Sequence, residues 1–76
     1  MPLIEFKCYP RDLSAEKKAK IALKVVDAVM SEIDAPKDSY IFTCEEISKE
    51  DWSDIVLTPL KQRSDTIVMN NGAIIL

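Results

Sequence analysis

Residues 3–8, Leu-Ile-Glu-Phe-Lys-Cys, alternate so that Ile4, Phe6 and Cys8 point one way and Glu5 and Lys7 the other. A period of two predicts a half-buried strand. Tyr9-Pro10-Arg11-Asp12 ends it, because Pro10 has no N–H for a ladder and biases Tyr9 toward extended backbone. The period then changes. Ala15, Ala19, Ala22, Val26, Val29 and Ile33 recur every three or four residues, and Leu23, Val25 and Met30 widen the stripe. Lys17, Lys18, Lys20, Lys24 and Asp27 fall mostly on the other side, so the segment predicts an amphipathic helix of about five turns. Ser14 is its N-cap, and Glu16 suits the positive end of its dipole. Asp34-Ala35-Pro36 stops it, since the residue before proline is pushed out of helical geometry.

Ser39 to Glu45 predicts a second strand, with Tyr40, Phe42 and Cys44 on one face and Ile41 and Thr43 on the other. Apolar residues on both faces imply contact on both sides of the sheet. Ser48-Lys49-Glu50-Asp51 resembles a capping box with a shorter acid in its last place. It opens a helix carrying Trp52, Ile55, Val56 and Leu60, which Pro59 either ends or kinks. In the tail, Asn71-Gly72 between two short apolar runs predicts a hairpin. The closing Ile74-Ile75-Leu76 is expected to dock on a partner chain or on the sheet edge. Strand, helix, strand is the central unit, and a crossover of this length sets the strands parallel in the right-handed sense. The expected class is α+β, a single domain over residues 1–76 with a second, C-terminal helix.

At 76 residues the chain has room for one core only. Chains of this size rarely clear their conformational entropy by burial alone and need a staple. Cys8 and Cys44 are too few and too far apart to supply a metal knuckle or a disulfide scaffold. Self-association is therefore the expected source of further buried surface. Two copies pairing into a four-stranded sheet would also cover the edges of a two-stranded one. With 47% apolar and 30% charged residues, and a net charge of −3, disorder is excluded and neither nucleic acid nor an anionic membrane fits as partner. No apolar run nears the roughly 18 residues of a membrane span, and no basic-then-apolar leader opens the chain. A reducing cytoplasm is the expected location.

Histidine is absent, which removes the commonest acid/base near neutral pH and the commonest transition-metal ligand. No metal site is expected. The chain starts Met1-Pro2, and initiator methionine is normally trimmed before a small residue such as proline. Trimming turns the Pro2 nitrogen from an amide without basicity into a free secondary amine. An α-amine titrates near 7.7–8.0 as a reference, and apolar burial or a nearby cation pulls that value down. A base poised for neutral pH would result. A Met-Pro start alone is common and carries no chemistry in most chains, so the surrounding residues decide.

Those residues form an ordered set: a proline opening a short strand, a turn with an arginine, a long helix ending in Asp-Ala-Pro, then a second strand. In this order the chain resembles the 4-oxalocrotonate tautomerase family. Pro2-Leu-Ile-Glu-Phe-Lys-Cys-Tyr-Pro-Arg-Asp-Leu looks like the opening of its short bacterial members, and the likeness covers residues 2–52 before fading over the tail. The resemblance implies a β-α-β fold and cofactor-free keto–enol tautomerisation of 2-oxo or enol carboxylic acids. It also implies that Pro2 is the catalytic base, Arg11 binds the substrate carboxylate and Trp52 lines the pocket. The family's second substrate arginine, early in strand two, is absent: Ile41 stands there, with Tyr40 beside it as a further candidate for substrate binding. A guanidinium grips a carboxylate bidentately and isoleucine cannot, so a substrate with one carboxylate is expected rather than a diacid.

Pattern alone supports plainer readings of the same residues. Arg11 fits a solvated turn, Trp52 with Ile55 and Val56 fits a core stripe, Tyr40 fits a strand aromatic hydrogen-bonded at its rim, and Cys8 a small buried hydrophobe. Geometry adds one inference of its own. Residues 2–8 extended span about 20–23 Å, so Pro2 and Arg11 of one chain cannot share a small substrate. Antiparallel pairing of two copies would bring Arg11 of one beside Pro2 of the other, with Trp52, Ile41 and Phe42 as apolar walls. The likeness to the short bacterial members, for its part, favours a homodimer over a hexamer. The alternatives are sibling proline-based hydration, decarboxylation or dehalogenation, and a non-catalytic homo-oligomeric or oxoacid-binding domain.

Overall fold

Parallel pairing of the two long strands organises the chain, and the computed structural model describes residues 1–76. β1 (Leu3–Cys8) and β2 (Ile41–Glu46) run side by side in register from Leu3 opposite Ile41 to Cys8 opposite Glu46. One further bond closes each end: the Ile41 N–H donates to the Pro2 carbonyl at 3.0 Å, and the Ile47 N–H to that of Cys8 at 2.8 Å. β2 thus starts two residues later than the alternation suggests and ends one later. Residues Lys37–Ser39 instead form a 3-10 turn, in which the Ser39 hydroxyl donates to the Pro36 carbonyl at 2.6 Å.

The crossover is α1 (Ala15–Met30), capped as expected: the Ser14 Oγ accepts from the Lys17 N–H at 3.0 Å. It ends at Met30, ahead of Asp34-Ala35-Pro36. The Ser31 hydroxyl takes the Ala28 carbonyl at 2.6 Å and the Glu32 N–H takes that of Val29 at 2.9 Å, so the last carbonyls are satisfied early by local groups. The shielded side of α1 is also rotated from the one the spacing picks out. Lys18, Ile21, Ala22, Val25, Val26, Val29 and Met30 are covered, whereas Ala15, Ala19, Leu23 and Ile33 are exposed. The helix carries apolar residues around more than half its girth, so the sheet chooses which of them it covers. Ile4, Phe6, Cys8, Phe42 and Cys44 form the shielded face of the sheet.

The opposite face is open. Leu3 is 58% and Ile41 53% exposed there, and Lys7 bridges Glu5 at 3.9 Å and Glu45 at 3.6 Å. Only Val26 and Ile47 are buried, each 6% exposed. The chain exposes 6129 Å², against about 4,700 Å² for a compact folded chain of 8.6 kDa. Much apolar surface therefore lacks a cover within one chain. No helix is long and apolar enough to cross a membrane.

After β2 a helix runs through Pro59 rather than stopping. α2 (Lys49–Trp52) is capped by the Ser48 Oγ, which accepts from the Asp51 N–H at 3.3 Å. A widened π turn, Ser53–Leu57, leads into α3 (Thr58–Lys61), with the Thr58 N–H donating to the Ser53 carbonyl five residues back. Pro59 has no N–H to give and its ring crowds the carbonyl four residues earlier. Widening the preceding turn relieves both problems without ending the helix. The tail closes as the hairpin β3 (Met69–Asn70) and β4 (Ala73–Ile74). Its two-residue loop has φ of 50° at Asn71 and 82° at Gly72, the two left-handed positions a type I′ turn demands. This hairpin is separate from the β1–β2 sheet, and Leu76 is 88% exposed. The expected docking on the sheet edge does not occur within the chain.

Candidate active site

The residues singled out from the sequence fall into two groups at opposite ends of the parallel ladder. At its head stand Pro2, Tyr40 and Ile41. The Pro2 carbonyl is held by the Ile41 N–H, its ring is half-buried, and its nitrogen carries Met1, which is 97% exposed. Proline fits here because no ladder bond asks for a donor at this position. Tyr40 is half-buried, and its hydroxyl is enclosed without a hydrogen-bond partner, so the rim hydrogen bond expected for it is not made.

At the far end, the β1–α1 turn meets the start of the second helix. Tyr9 and Trp52 pack edge to face, with ring centroids 4.8 Å apart and planes at 74°. The Lys49 ammonium stands 5.5 Å over the Tyr9 ring, a cation–π contact. Trp52 thus braces the turn instead of completing a core stripe. Arg11 projects from that turn and is exposed. Its neighbour Asp12 has a φ of 53°, a left-handed conformation that aspartate tolerates better than most residues.

Glu46, the last residue of β2, organises this end. Its Oε1 accepts hydrogen bonds from the Arg11 N–H at 2.5 Å and from the Leu13 N–H at 3.4 Å. The Arg11 amide holds the carboxyl below its usual range. Partial burial works against this, while the Leu13 amide, the Lys18 ammonium on α1 and the Asp12 amide add to it. Sequence reasoning passed over Glu46, although a signal existed. It falls in phase with Tyr40, Phe42 and Cys44 on the shielded face of β2, where an unpaired carboxylate is out of place. The contacts of Tyr9 leave no local signal either, because its partners Lys49 and Trp52 lie 40 and 43 positions further along the chain.

Pro2 and Arg11 therefore do not meet in one chain, since a strand of about 20 Å separates them. A cavity of about 270 Å³ lies elsewhere, between α3 and the hairpin, lined by Leu57, Leu60, Lys61, Ile67 and Met69 among others. None of the candidate site residues Pro2, Arg11, Tyr40 and Trp52 lines it.

A parallel β-α-β crossover followed by a second helix and a small hairpin makes this a mixed α+β fold. The family model described as "Tautomerase enzyme" matches residues 2–53, and the chain belongs to that family. The match ends just past Trp52, near the point where the likeness read from the sequence fades. The relatives it resembles include "Tautomerase PptA" of Escherichia coli (strain SMS-3-5 / SECEC), 28% identical over 72 residues, which are 95% of this chain and 96% of that protein. The proteins of the same name from Shigella sonnei (strain Ss046) and Escherichia coli O157:H7 are each 25% identical over the same shares. The likeness to short bacterial tautomerases thus extends over nearly the whole chain.

Proposed function

We propose that the chain interconverts keto and enol forms of a 2-oxo or enol carboxylic acid without a cofactor, with the trimmed amino-terminal Pro2 as the proton carrier. One observation carries this reading: Pro2 heads the parallel ladder, half-buried and held by its carbonyl, in a chain with no histidine. The neutral secondary amine takes a proton from the enol hydroxyl or the acidic carbon. The prolinium then delivers a proton to the other end of the three-atom system, so the amine is regenerated and the substrate has shifted one proton and one double bond. A positioned acid/base of this kind contributes about 10²–10⁴ in rate.

The active site in this reading is shared by two copies. The separation of Pro2 from Arg11, the open face of the sheet at Leu3 and Ile41, and the surface excess of the single chain all support it. Arg11 of one copy holds the substrate carboxylate beside Pro2 of the other, and the assembly is a homodimer. Mass spectrometry of the amino terminus, paired with turnover of a phenylenolpyruvate-type enol, tests the proposal. Turnover should rise in proportion to the fraction of chains lacking Met1, and full turnover by chains that retain Met1 would overturn the proposal.

Ile41 bears on the substrate. It stands next to Pro2 at the mouth of the site, is 53% exposed, and has no charge to offer a second carboxylate. Ile41→Arg is therefore expected to raise kcat/KM for a dicarboxylate enol relative to a monocarboxylate one by roughly tenfold, the value of one charge-assisted pair at a half-open site. An unchanged ratio would place the specificity elsewhere.

A further inference from the structure

We infer that Glu46 is a positioning residue for substrate binding: its carboxylate clamps the Arg11–Leu13 turn and so sets where the Arg11 side chain stands. The inference rests on Arg11 being the carboxylate anchor, and it goes beyond that role by naming what holds the anchor still.

Arg11 has no ion-pair partner within the chain and is exposed, so neither packing nor charge orients it from the side-chain end. Its placement comes from the backbone. The turn between β1 and α1 is anchored at one end by the Ile47–Cys8 hydrogen bond and at the other by the Ser14 cap. Between them lies Asp12 at φ 53°, a conformation that persists only when its surroundings impose it. Amides that flank a left-handed residue turn toward a common point and form a concavity suited to an anion. Here the Arg11 and Leu13 amides converge on one oxygen, Oε1 of Glu46, and the Lys18 ammonium adds positive potential. Glu46 reaches across 35 positions of sequence to do this. That oxygen is engaged by backbone, so Glu46 acts through Arg11 and not on the substrate.

Removing the carboxylate leaves two amides without their acceptor and Asp12 without support, and the turn relaxes. A displacement of about 1 Å in a substrate-holding group can cost as much as 10²-fold. Since the loss falls on binding, it appears in KM and not in the proton transfer at Pro2 of the other copy.

The experiment compares Glu46→Ala, Glu46→Gln, Arg11→Ala and the double variant on a monocarboxylate enol. Alongside it, amide hydrogen exchange is read at Arg11 and Leu13, with the Ile47 amide as the control for an intact ladder. E46A is expected to raise KM about tenfold with kcat nearly unchanged, and E46Q, which keeps an acceptor oxygen without its charge, by about threefold. In the R11A background E46A should add less than about twofold, because both act on one interaction. Exchange at Arg11 and Leu13 should quicken in E46A while Ile47 stays protected. A parental KM in E46A beside a raised KM in R11A would overturn the positioning role and leave the anchor standing. A full extra effect of E46A on top of R11A would also overturn it, as the mark of a general structural loss. An R11A variant with parental KM would instead bring down the anchor itself and this inference with it.

Discussion

Pro2→Ala is expected to lower kcat/KM for a simple enol acid by about 10²–10⁴ while the fold stays intact. The two halves of that expectation rest on different observations. The fold survives because the backbone needs only the carbonyl of residue 2, which receives the Ile41 N–H, and alanine supplies the same carbonyl. Activity falls because the ring makes the terminal nitrogen a secondary amine held at a fixed angle to the strand, and alanine offers a freely turning primary one. A companion variant separates basicity from geometry. Inserting a lysine between Met1 and Pro2 blocks trimming, leaves the proline ring in place and makes its nitrogen an amide. The lysine-inserted chain should lose at least as much activity as Pro2→Ala, and both should keep the parental circular dichroism. Parental turnover in the lysine-inserted chain would remove Pro2 from the chemistry altogether.

Co-expression of Pro2→Ala and Arg11→Ala chains is expected to restore turnover at low substrate concentration that neither shows alone. In a two-fold dimer with shared sites, a mixed pair holds one site with both defects and one with neither. Random pairing then yields about a quarter of the parental turnover. The structure makes the outcome sharp, because Pro2 and Arg11 sit at opposite ends of a six-residue strand and have no route to each other within a chain. Recovery would show as a fraction of sites that turn over at parental KM, since the intact sites are intact in both respects. If the mixture gives only the average of its two components, each chain works alone, and the apolar surface at Leu3, Ile41 and Leu23 serves another purpose.

Much of the fold was legible because it is locally encoded. The alternation of Ile4, Phe6 and Cys8, the Ser14 cap three residues before the Lys17 amide, and the Asn71-Gly72 turn each involve groups within a few residues of one another. Short-range steric and hydrogen-bonding preferences act at that range, so they leave a readable pattern. Pro59 shows where this stops. Its missing N–H is evident in the sequence, but whether a helix breaks or widens depends on what the next turn packs against, and here a π turn keeps Trp52 and Leu60 in one helix.

The candidate site was legible only by composition. Pro2 and Arg11 attract notice by residue type and order, and both lie within the segment that the family model matches, residues 2–53. Glu46 did not, because its meaning lies in two amides 33 and 35 positions away.

Sequence by itself determined the element order, the parallel crossover, the helix cap, the hairpin turn and the shortage of buried surface that a chain this short must show. Tertiary structure alone decided which side of α1 faces the sheet, favouring Ile21 and Lys18 over Ala15 and Leu23. It alone left the tail hairpin apart from the main sheet and seated the Glu46 carboxylate in the Arg11 turn. The physical reason is range. Backbone preferences are settled among neighbours, whereas the choice between two nearly equal apolar faces, or the pairing of a carboxylate with a distant turn, is settled only when the strands have met.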